Sequence, residues 1–383
     1  MIKIALLGST GSIGTQVLNV VDRYSDKFQI VSLSAGSNAE LLEKQINKYK
    51  PRIATIADPA GIFKIKEIPK GVSLYYGENA VMHAITEDVD VVFASMMGFS
   101  GLSAVKTAVA MGKTVALANK ETLVAGGEII MDLAKKTGSK IIPVDSEHSA
   151  LWQCLDFNAG REFNKLIITA SGGAFRNKTL GELSGVTASD ALNHPTWKMG
   201  KKITIDCATM MNKGFEVIEA MWLFNAPKSK IDVVIHPQSI VHSMVEFSDG
   251  AILAQLGSPS MELPIQLALT YPNRLPLGDD KFSLVGKNLE FYDIDRNKYP
   301  CFALCEKAIE MGFNYPCALS GADEEAVKLF IEGKIKYLEI KDYIEYALSR
   351  TDKLSVTYDN LVYTDGMARR YVHELYNKRS SSK

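Results

Sequence analysis

The chain has 383 residues, of which 46% are hydrophobic and 23% are charged, and its formal net charge is −1. This length exceeds what one hydrophobic core supports, so we expect two or three domains. The balanced charge argues against nucleic acid or a membrane surface as a partner, and no apolar run is long enough to span a bilayer. Five cysteines without a C-x-x-C motif favour free thiols. A strand-like run begins at Ile2, which leaves no room for a signal peptide, so a cytoplasmic protein is expected.

The first motif is a glycine turn. An apolar run from Lys3 to Leu7 predicts a strand, and a helical pattern follows the turn Gly8-Ser9-Thr10-Gly11-Ser12-Ile13-Gly14. Strand, glycine turn and helix form a phosphate cradle, because backbone N–H groups and the helix N-terminus face a pyrophosphate. The spacing is G-x-x-G-x-x-G rather than the commoner G-x-G-x-x-G. We interpret the turn as a dinucleotide site whose contacts are Ser9, Thr10, Gly11, Ser12 and Ile13.

The second predicted strand, Gln29 to Ser34, indicates which dinucleotide binds. It ends in Ala35-Gly36-Ser37-Asn38, without the carboxylate that bonds the ribose 2′-OH in most NAD enzymes. Small neutral donors accept a 2′-phosphate, so Gly36, Ser37 and Asn38 favour NADPH. Alternatively, Ser37 and Asn38 only cap the helix that starts near Ala39. Both interpretations can hold together.

Strands and helices continue to alternate. Further strands are predicted at Ile53–Ala57, Asp90–Ala94 and Thr114–Ala118. This βαβ rhythm predicts a Rossmann-like, doubly wound parallel sheet. The third of these strands ends in Asn119-Lys120-Glu121, where an open sheet places its ligands. A helix cap with an early glutamate gives the same pattern.

The run Lys140 to Val144 predicts a buried strand that ends in Asp145-Ser146-Glu147-His148. Ligands bind at the carboxyl ends of such strands, and carboxylates are hard oxygen ligands that suit Mg²⁺ or Mn²⁺. The alternative is an ordinary helix start with Asp145 or Ser146 as its N-cap.

A second phosphate site is indicated farther along. A predicted strand, Leu166 to Ala170, leads into Ser171-Gly172-Gly173, and a serine with two glycines at a strand end can hold a phosphate. The polar stretch from Asp190 to Gly200 contains Trp197 and has no clear period. It is either a mobile lid or a partner surface.

Lys202–Asp206 is predicted to form a strand, followed by a helix. Asn212, Lys213 and Glu216 have the spacing that puts them on one helix face. An ordinary surface helix would place a Lys–Glu pair in the same way.

The remaining chain predicts a second sheet and a helical end. Strands are expected at Ile231–Ile235, Ile240–Phe247 and Ala251–Leu256, and His242 on the second is a lone strand histidine, which is more often structural than catalytic. We expect a nucleotide-binding domain (1–144), a central α/β catalytic domain (145–269), a connecting arm (270–300) and a helical domain (301–383). The helices of the last domain are predicted at Phe302–Met311, Leu319–Glu332, Leu338–Leu348 and Tyr358–Leu375.

Seven motifs follow one another in an order that resembles a known family. They are Gly8 to Gly14, Ala118-Asn-Lys-Glu121, Pro143-Val-Asp-Ser-Glu-His148, Ser171-Gly-Gly173, His194-Pro-x-Trp197-x-Met-Gly200, Ala208-Thr-Met-Met-Asn-Lys-Gly214 with Glu216, and His236-Pro-Gln-Ser-Ile-Val-His-Ser-Met244. Nearly the full chain resembles the 1-deoxy-D-xylulose 5-phosphate reductoisomerases. The resemblance implies a homodimer that uses NADPH and a divalent metal to rearrange and reduce a ketose phosphate to 2-C-methyl-D-erythritol 4-phosphate for isoprenoid synthesis.

The resemblance also implies residue roles. It makes Asp145, Glu147 and Glu216 the metal ligands. The implied substrate contacts are Ser146, Lys120, Ser171, His194, Trp197, Cys207, Asn212, Lys213 and Glu216. The implied cofactor contacts beyond the glycine turn and residues 36–38 are Asn119, Glu121 and Gly200. The implied catalytic residues are Glu147, His148, Lys120, His194 and His242, and Trp197 and Met199 lie on the implied lid.

Three positions depart from the family pattern. Cys207 stands where a phosphate-contacting serine is usual, and a thiol is the weaker donor. Ala174 replaces a proline after the double glycine, and Asp323 replaces an asparagine. Two other functions are compatible with the first third of the chain, namely a different NADPH-dependent dehydrogenase and a non-enzymatic NADPH sensor. The first leaves the three carboxylates idle, and the second needs neither them nor the Ser171 turn.

Overall fold

The structure is a computed structural model that describes residues 1–156, 162–197, 199–278 and 282–381. Lys198 of the predicted lid and residues 279–281 of the predicted arm lie outside the described residues. The chain divides into two compact units. The first contains Met1–Thr122, Ile130–Ser149 and Met261–Asp280, and the second contains Leu123–Ile129, Ala150–Ser260 and Lys281–Lys383. The predicted domain boundaries after residues 144, 269 and 300 stay a prediction.

The first unit is built on a parallel sheet of seven strands in the order β4-β3-β2-β1-β5-β6-β7. The strands are β1 Ile2–Leu7, β2 Phe28–Ala35, β3 Ile53–Ile56, β4 Ser73–Tyr76, β5 Val91–Ala94, β6 Thr114–Leu117 and β7 Ile141–Pro143. The order reverses at β1, as in a doubly wound fold, so the predicted fold class is confirmed. Sequence analysis missed β4, because this edge strand is largely exposed and has no apolar run.

The helices of this half follow from apolar spacing. They are α1 Ser12–Arg23, α2 Ala39–Tyr49, α3 Gly101–Ala110, α4 Lys120–Thr137 and α5 Ser146–Asp156, and α10 Glu262–Thr270 belongs to the same unit although it comes later in the chain. In α1, Val17, Leu18, Val20 and Val21 form one buried stripe at helical spacing. α4 and α5 contain residues of both units.

The second unit contains a mixed sheet of four strands in the order β11-β10-β8-β9. The strands are β8 Phe163–Ala170, β9 Ile231–Ile235, β10 Val241–Phe247 and β11 Ile252–Leu256. β8 and β9 are parallel, whereas β10 is antiparallel to both β8 and β11. The carboxyl ends of β8 and β9 therefore lie side by side, and their loops begin at the same edge.

One predicted strand is wrong. Residues Lys202–Asp206 belong to helix α8, Lys201–Thr209. The alternation of Ile203 and Ile205 imitates a strand, but the helix buries Ile205 and Ala208 on one side. Lys202 also contacts Asp206 one turn later, with 2.5 Å between the ammonium and a carboxylate oxygen. These contacts at a spacing of three and four residues outweigh the local alternation.

The remaining helices complete the second unit. They are α6 Leu180–Leu183, α7 Ala188–Ala191, α9 Met211–Leu223, α11 Pro300–Met311, α12 Tyr315–Ile331, α13 Ile340–Arg350 and α14 Tyr358–Ser381. A single core joins the last four to α8 and α9, through buried side chains such as Phe215, Leu319 and Tyr343. The predicted helical C-terminal region is confirmed. None of the helices in the described residues has the length and low charge needed to cross a membrane.

Candidate active site

The glycine turn after β1 leaves no space for side chains at two positions. Gly8 has a φ of 87°, and a Cβ there would lie 2.6 Å from the carbonyl oxygen of Ser95. A Cβ on Gly14 would lie 2.2 Å from the carbonyl oxygen of Gly8. Gly11, the N-cap of α1, provides no side-chain cap for the helix N-terminus. The turn therefore brings bare backbone to a helix N-terminus at the switch point of the sheet, an arrangement that fits a pyrophosphate.

Ser9 differs from the other residues of the turn. Its hydroxyl donates to Oε1 of Gln45 at 2.6 Å, and its backbone N–H donates to the carbonyl of Ser34 at 2.8 Å. Ser9 is fully buried. Both of its donors thus fasten the turn to the neighbouring β2 and α2, and its predicted cofactor contact stays a prediction.

The loop after β2 supports both interpretations of Asn38. Its side chain accepts a hydrogen bond from the N–H of Leu41 at 3.1 Å, so it caps α2 as the alternative proposed. A Cβ built on Gly36 would meet no atom within 4 Å, so this residue borders open space. An open loop at a helix N-terminus fits a phosphate group, as the cofactor interpretation requires.

Asn119 connects two loops at the carboxyl edge of the sheet. Its Oδ1 accepts from the N–H of Thr122 at 3.1 Å, which caps α4. Its Nδ2 donates to the carbonyls of Met96 at 2.9 Å and Gly98 at 3.2 Å, and to Glu121 at 3.0 Å. The capping alternative is correct for Asn119, and the same bonds hold Glu121 and the loop after β5 in place.

The acidic motif after β7 forms a compact charged cluster. The Lys120 ammonium lies 2.5 Å from Oδ2 of Asp145, and Nδ1 of His148 lies 3.4 Å from Oδ1. Asp145 also accepts from the backbone N–H of Glu147 at 3.2 Å, which makes it a helix cap for α5. Ser146 donates its hydroxyl to Glu147. The structure thus brings all five of these predicted residues together.

Electrostatics keep Asp145 ionised. Burial raises the pKa of its carboxyl, but the Lys120 ammonium and the adjacent His148 ring outweigh burial and hold the pKa well below its usual range. An ionised carboxylate one residue from a second acid, Glu147, is a donor set that fits a hard divalent cation such as Mg²⁺.

The loop after β8 is a tight glycine turn. Gly172 and Gly173 have φ values of 80° and 70°, which favour glycine. The N–H of Gly173 donates to Oγ of Ser171 at 3.2 Å. A Cβ on Gly173 would lie 2.4 Å from the carbonyl oxygen of Cys207, so the turn lies directly against α8. Ser171 and Cys207, both predicted substrate contacts, are therefore held near each other.

His194 belongs to the predicted lid and contacts this turn. Its Nε2 is 2.9 Å from Oγ of Ser171. Its Nδ1 accepts from the backbone N–H groups of Thr196 at 3.2 Å and Trp197 at 2.9 Å. Burial and the positive charge of Arg176 lower the pKa of His194 to about 4, so the ring is neutral at physiological pH.

The predicted polar face of α9 is confirmed. Nδ2 of Asn212 donates to Oε1 of Glu216 at 2.6 Å, and the Lys213 ammonium pairs with the other carboxylate oxygen. The alternative of an ordinary surface helix is wrong, because Lys213 is 4% exposed and Glu216 is 1% exposed. A buried carboxylate is stable only with polar partners such as these, and buried charged groups of this kind are found preferentially at functional sites.

The two histidines near β10 differ in their surroundings. His242 is buried, and its ring centroid lies 6.2 Å from that of Trp197. His236 is also buried, but its Nε2 accepts from the N–H groups of Ile240 and Val241 at 3.1 Å each. His236 therefore supports the turn between β9 and β10, whereas His242 accompanies the lid tryptophan. Gly200, the remaining predicted cofactor contact, is the N-cap of α8.

Comparison with known proteins identifies the family. Family models described as 1-deoxy-D-xylulose 5-phosphate reductoisomerase and as two of its C-terminal domains match residues 4–127, 141–224 and 256–371. A reductoisomerase of that name from Thermoanaerobacter sp. (strain X514) is 44% identical over 381 residues, covering 98% of this chain and 100% of the relative. One from Chloroherpeton thalassium is 46% identical over 379 residues, covering 98% of each chain. This chain belongs to the 1-deoxy-D-xylulose 5-phosphate reductoisomerase family.

Solved reductoisomerases have the same fold. The enzyme from Zymomonas mobilis in complex with NADPH is 36% identical, with a TM-score of 0.90 over 98% of both chains. Another, in complex with NADPH, fosmidomycin and magnesium, is 33% identical with a TM-score of 0.93 over 98% of both chains. The family resemblance inferred from the motifs is confirmed over nearly the full length of this chain and of both solved enzymes.

One residue of the site was missed by sequence analysis. Arg176 lies two residues after Ala174, and its guanidinium donates to the carbonyl of Ser171 at 3.3 Å. An arginine shortly after a serine and two glycines is the sequence signal that would have found it, because an anion site commonly recruits this side chain.

Proposed function

We propose that this chain catalyses the rearrangement of 1-deoxy-D-xylulose 5-phosphate and its NADPH-dependent reduction to 2-C-methyl-D-erythritol 4-phosphate in the non-mevalonate isoprenoid pathway. The observation that carries the proposal is family membership over 98% of the chain. The protein is an NADP-dependent oxidoreductase with NADPH and magnesium as its cofactors. Manganese as an alternative metal is part of the proposal.

We propose Asp145, Glu147 and Glu216 as the magnesium ligands. All three are carboxylates, and the pKa of Asp145 is held low enough for it to be ionised at neutral pH. Glu216 is buried and already held by hydrogen bonds, so its geometry is fixed before metal binds. When bound, the ion supplies Lewis-acid stabilisation of negative charge on the substrate oxygens, and NADPH supplies the hydride.

The chain's own residues bind and orient the substrate. Ser171, His194, Asn212 and Lys213 are the proposed phosphate contacts, and Cys207 borders the same turn. Holding the phosphate fixes a small flexible sugar for reaction and provides binding energy away from the reacting atoms. Ser146 and Lys120 are proposed contacts to the rest of the sugar, and fosmidomycin is the proposed analogue for this site.

The lid and the histidines complete the proposal. Trp197 and His194 lie on the segment that we propose closes over the substrate and excludes water, which strengthens electrostatic interactions inside. His148 and His242 are buried at the acidic cluster and beside the lid tryptophan, respectively. We propose that they orient the substrate or transfer protons. Glu121, Asn119 and Gly200 remain proposed cofactor contacts.

The decisive experiment is NADPH oxidation by the purified full chain with 1-deoxy-D-xylulose 5-phosphate and Mg²⁺. Turnover should require the sugar phosphate and should stop when EDTA removes the metal. Other small ketones and aldehydes, offered without the sugar phosphate, serve as controls. Oxidation of NADPH with those compounds and none with the sugar phosphate would favour a different dehydrogenase. Tight NADPH binding without any turnover would favour a sensor.

Cofactor choice has a separate test. The loop Gly36-Ser37-Asn38 lacks the carboxylate that would repel a 2′-phosphate. We expect kcat/KM to be at least about tenfold higher with NADPH than with NADH, a difference of about 1.4 kcal/mol. Equal values for the two cofactors would contradict the assignment of this loop.

We also propose that the protein is a cytoplasmic homodimer. Within the second unit, the edge strand β11 exposes Ile252 (53%) and Leu253 (43%), and Val285 in the arm is 91% exposed. An edge strand with exposed apolar side chains is a surface that natural proteins usually cover. Sedimentation of the wild type should give a dimer. Ile252→Lys with Leu253→Glu should give a monomer, and a dimer in this variant would place the interface elsewhere.

A further inference from the structure

Arg176 joins two loops of the second unit. Its Nη1 donates to the carbonyl of Ser171 at 3.3 Å and to the carbonyl of Pro237 at 3.5 Å. Ser171 follows β8 and Pro237 follows β9, and these strands are parallel neighbours. One guanidinium therefore holds the two carboxyl-end loops at the edge where the proposed phosphate contact lies.

The protons on His194 follow from its partners. Nδ1 accepts hydrogen bonds from two backbone N–H groups, of Thr196 and Trp197, so it carries no proton. The ring proton of the neutral histidine is then on Nε2, which donates to Oγ of Ser171 at 2.9 Å.

The Ser171 hydroxyl is thereby made a donor. Its oxygen accepts from Nε2 of His194 and from the N–H of Gly173, so both of its lone pairs are used. Its own proton is left for another acceptor. A phosphate monoester has at least two unprotonated oxygens at neutral pH, and each of them is such an acceptor.

We infer that Arg176 is a positioning residue of the phosphate subsite, which holds the Ser171 turn and the neutral ring of His194 so that the Ser171 hydroxyl donates to the substrate phosphate. This inference rests on the proposed function. It assigns Arg176 a role through Ser171 and His194 and not through direct contact with substrate.

The charge of Arg176 contributes as well as its hydrogen bonds. A second proton on His194 would go to Nδ1, where it would oppose the N–H groups of Thr196 and Trp197. The positive charge of Arg176 acts with burial to keep that proton away. Thr196 and Trp197 of the lid therefore keep their hydrogen bonds to His194, which contacts Ser171.

Another side chain braces the same turn without a charge. The hydroxyl of Tyr299 donates to the carbonyl of Gly172 at 3.1 Å. Tyr299→Phe removes one brace and leaves the charge near His194 unchanged, so it is a control for loss of support alone. Arg296→Met is a control for the substitution itself, because Arg296 pairs with Glu306 instead.

The experiment compares Arg176→Met and Arg176→Lys with these controls in the full chain. The measurements are KM for the sugar phosphate, kcat, the affinity for NADPH, and the pKa of His194 by NMR with labelled histidine. Arg176→Met should raise KM about tenfold or more, with a smaller change in kcat and unchanged NADPH affinity. It should also raise the pKa of His194 towards its ordinary value. Arg176→Lys should keep the pKa near the wild-type value and raise KM less.

Arg296→Met should leave KM and the pKa of His194 as in the wild type. Tyr299→Phe should raise KM less than Arg176→Met does, with the pKa of His194 as in the wild type. A wild-type pKa of His194 in Arg176→Met, or a KM that changes no more than in Tyr299→Phe, would overturn the inference. The NMR titration needs no turnover, so it still decides the role of Arg176 if the wild type fails to convert the sugar phosphate. If Arg176→Met does not fold, the smaller KM effect of Arg176→Lys decides.

Discussion

The two sheets of this protein place functional groups in different ways. In the first unit, seven parallel strands end at one edge, and the cofactor turn is a continuous segment from Gly8 to Gly14. In the second unit, β8 and β9 are parallel, whereas β10 is antiparallel to both β8 and β11. There the polar residues come from a glycine turn at Ser171, from the loop around His194, and from helix α9, which is buried.

This difference has a physical cause. A dinucleotide phosphate is bound mainly by backbone groups, so the requirement is met by glycines at fixed spacing in one turn. A sugar phosphate and a metal need side-chain charges, and a charge such as Glu216 is stable in the interior only with partners such as Lys213. Substitutions in the glycine turn should therefore affect cofactor affinity, and substitutions on the buried polar face of α9 should affect turnover.

The largest effect is expected for Glu216→Gln. This change keeps the size of the side chain and removes one charge from the proposed ligand set. We expect kcat to fall about 10²- to 10³-fold or more, because charge stabilisation by a bound metal is lost. The affinity for NADPH should stay within about twofold, since the glycine turn is unchanged.

Activity at rising Mg²⁺ and Mn²⁺, together with NADPH titration, measures both parts of this prediction. Glu306→Gln is the matched control, because Glu306 pairs with Arg296 and Lys228. Near-normal activity of Glu216→Gln at ordinary metal concentration would show that Glu216 only serves as a partner for Lys213.

The reverse result is expected for Gly14→Ala. A Cβ at this position would lie 2.2 Å from the carbonyl oxygen of Gly8, so the turn must move. We expect NADPH affinity to weaken at least about tenfold, or about 1.4 kcal/mol, while saturating NADPH restores much of kcat. Gly181→Ala is the control, since a Cβ there meets no atom within 4 Å. A fall in kcat that excess NADPH does not reverse would contradict the separate roles of the glycine turn and the α9 face.

Sequence patterns predicted most of the first unit, because its parallel strands are short apolar runs and its glycine turn is contiguous. The exposed strand β4 was missed for lack of such a run. In the second unit, the segment Lys202–Asp206 was assigned to a strand, because its alternation is local and the contacts that make it helical are tertiary. The predicted face of α9 was correct, since a spacing of three and four residues needs no tertiary information.

The candidate site was predictable to a similar extent. The motifs identify candidate catalytic and binding residues, but they do not show what these residues contact. Asn119 and Asn38 turned out to be helix caps as well as candidate cofactor contacts. The buried state of Glu216 and the contact of Arg176 with two loops depend on neighbours far along the chain. A local sequence pattern cannot predict such tertiary contacts.

A moderate effect on stability is expected at Asp323, where the family resemblance implies an asparagine. The Lys202 ammonium lies 2.9 Å from Asp323 and 2.5 Å from Asp206, and both acids are buried. Burial raises the pKa of the Asp323 carboxyl, although Lys202 opposes this effect. One lysine is thus the ion-pair partner of two buried carboxylates.

The raised pKa fixes the sign of the prediction. Because the carboxyl binds its proton more tightly in the folded state, its contribution to stability is fully present below its ordinary pKa. That contribution is lost as the pH rises through the folded-state pKa. Asp323→Asn does not titrate, so its free energy of unfolding should exceed that of the wild type by about 1 kcal/mol at pH 8, and the difference should shrink towards pH 5.

Denaturant unfolding at several pH values measures this difference, and Asp342→Asn serves as a control at a half-exposed acid of α13. Cys301 and Cys305 lie near the same carboxyl. Burial raises the pKa of both thiols, and the charge of Asp323 raises it further, so both thiols are neutral. If Asp323→Asn is instead less stable than the wild type at pH 8, Asp323 is an ionised partner of Lys202. The predicted gain in stability from removing its charge is then wrong.

The smallest effect is spectroscopic and concerns the lid. Trp197 is partly buried, and its backbone N–H donates a hydrogen bond to Nδ1 of His194. If this segment closes over bound ligands, its fluorescence should change when NADPH and fosmidomycin bind. Trp222 provides a steady background, because it packs tightly against Gly127 of α4, whereas Trp152 lies on α5 near the acidic motif. In Trp197→Phe most of the change should be lost, while the ligand affinity measured by calorimetry falls less than about tenfold. A variant that keeps the full fluorescence change would assign the signal to Trp152 and leave the segment around His194 as a fixed wall of the second unit.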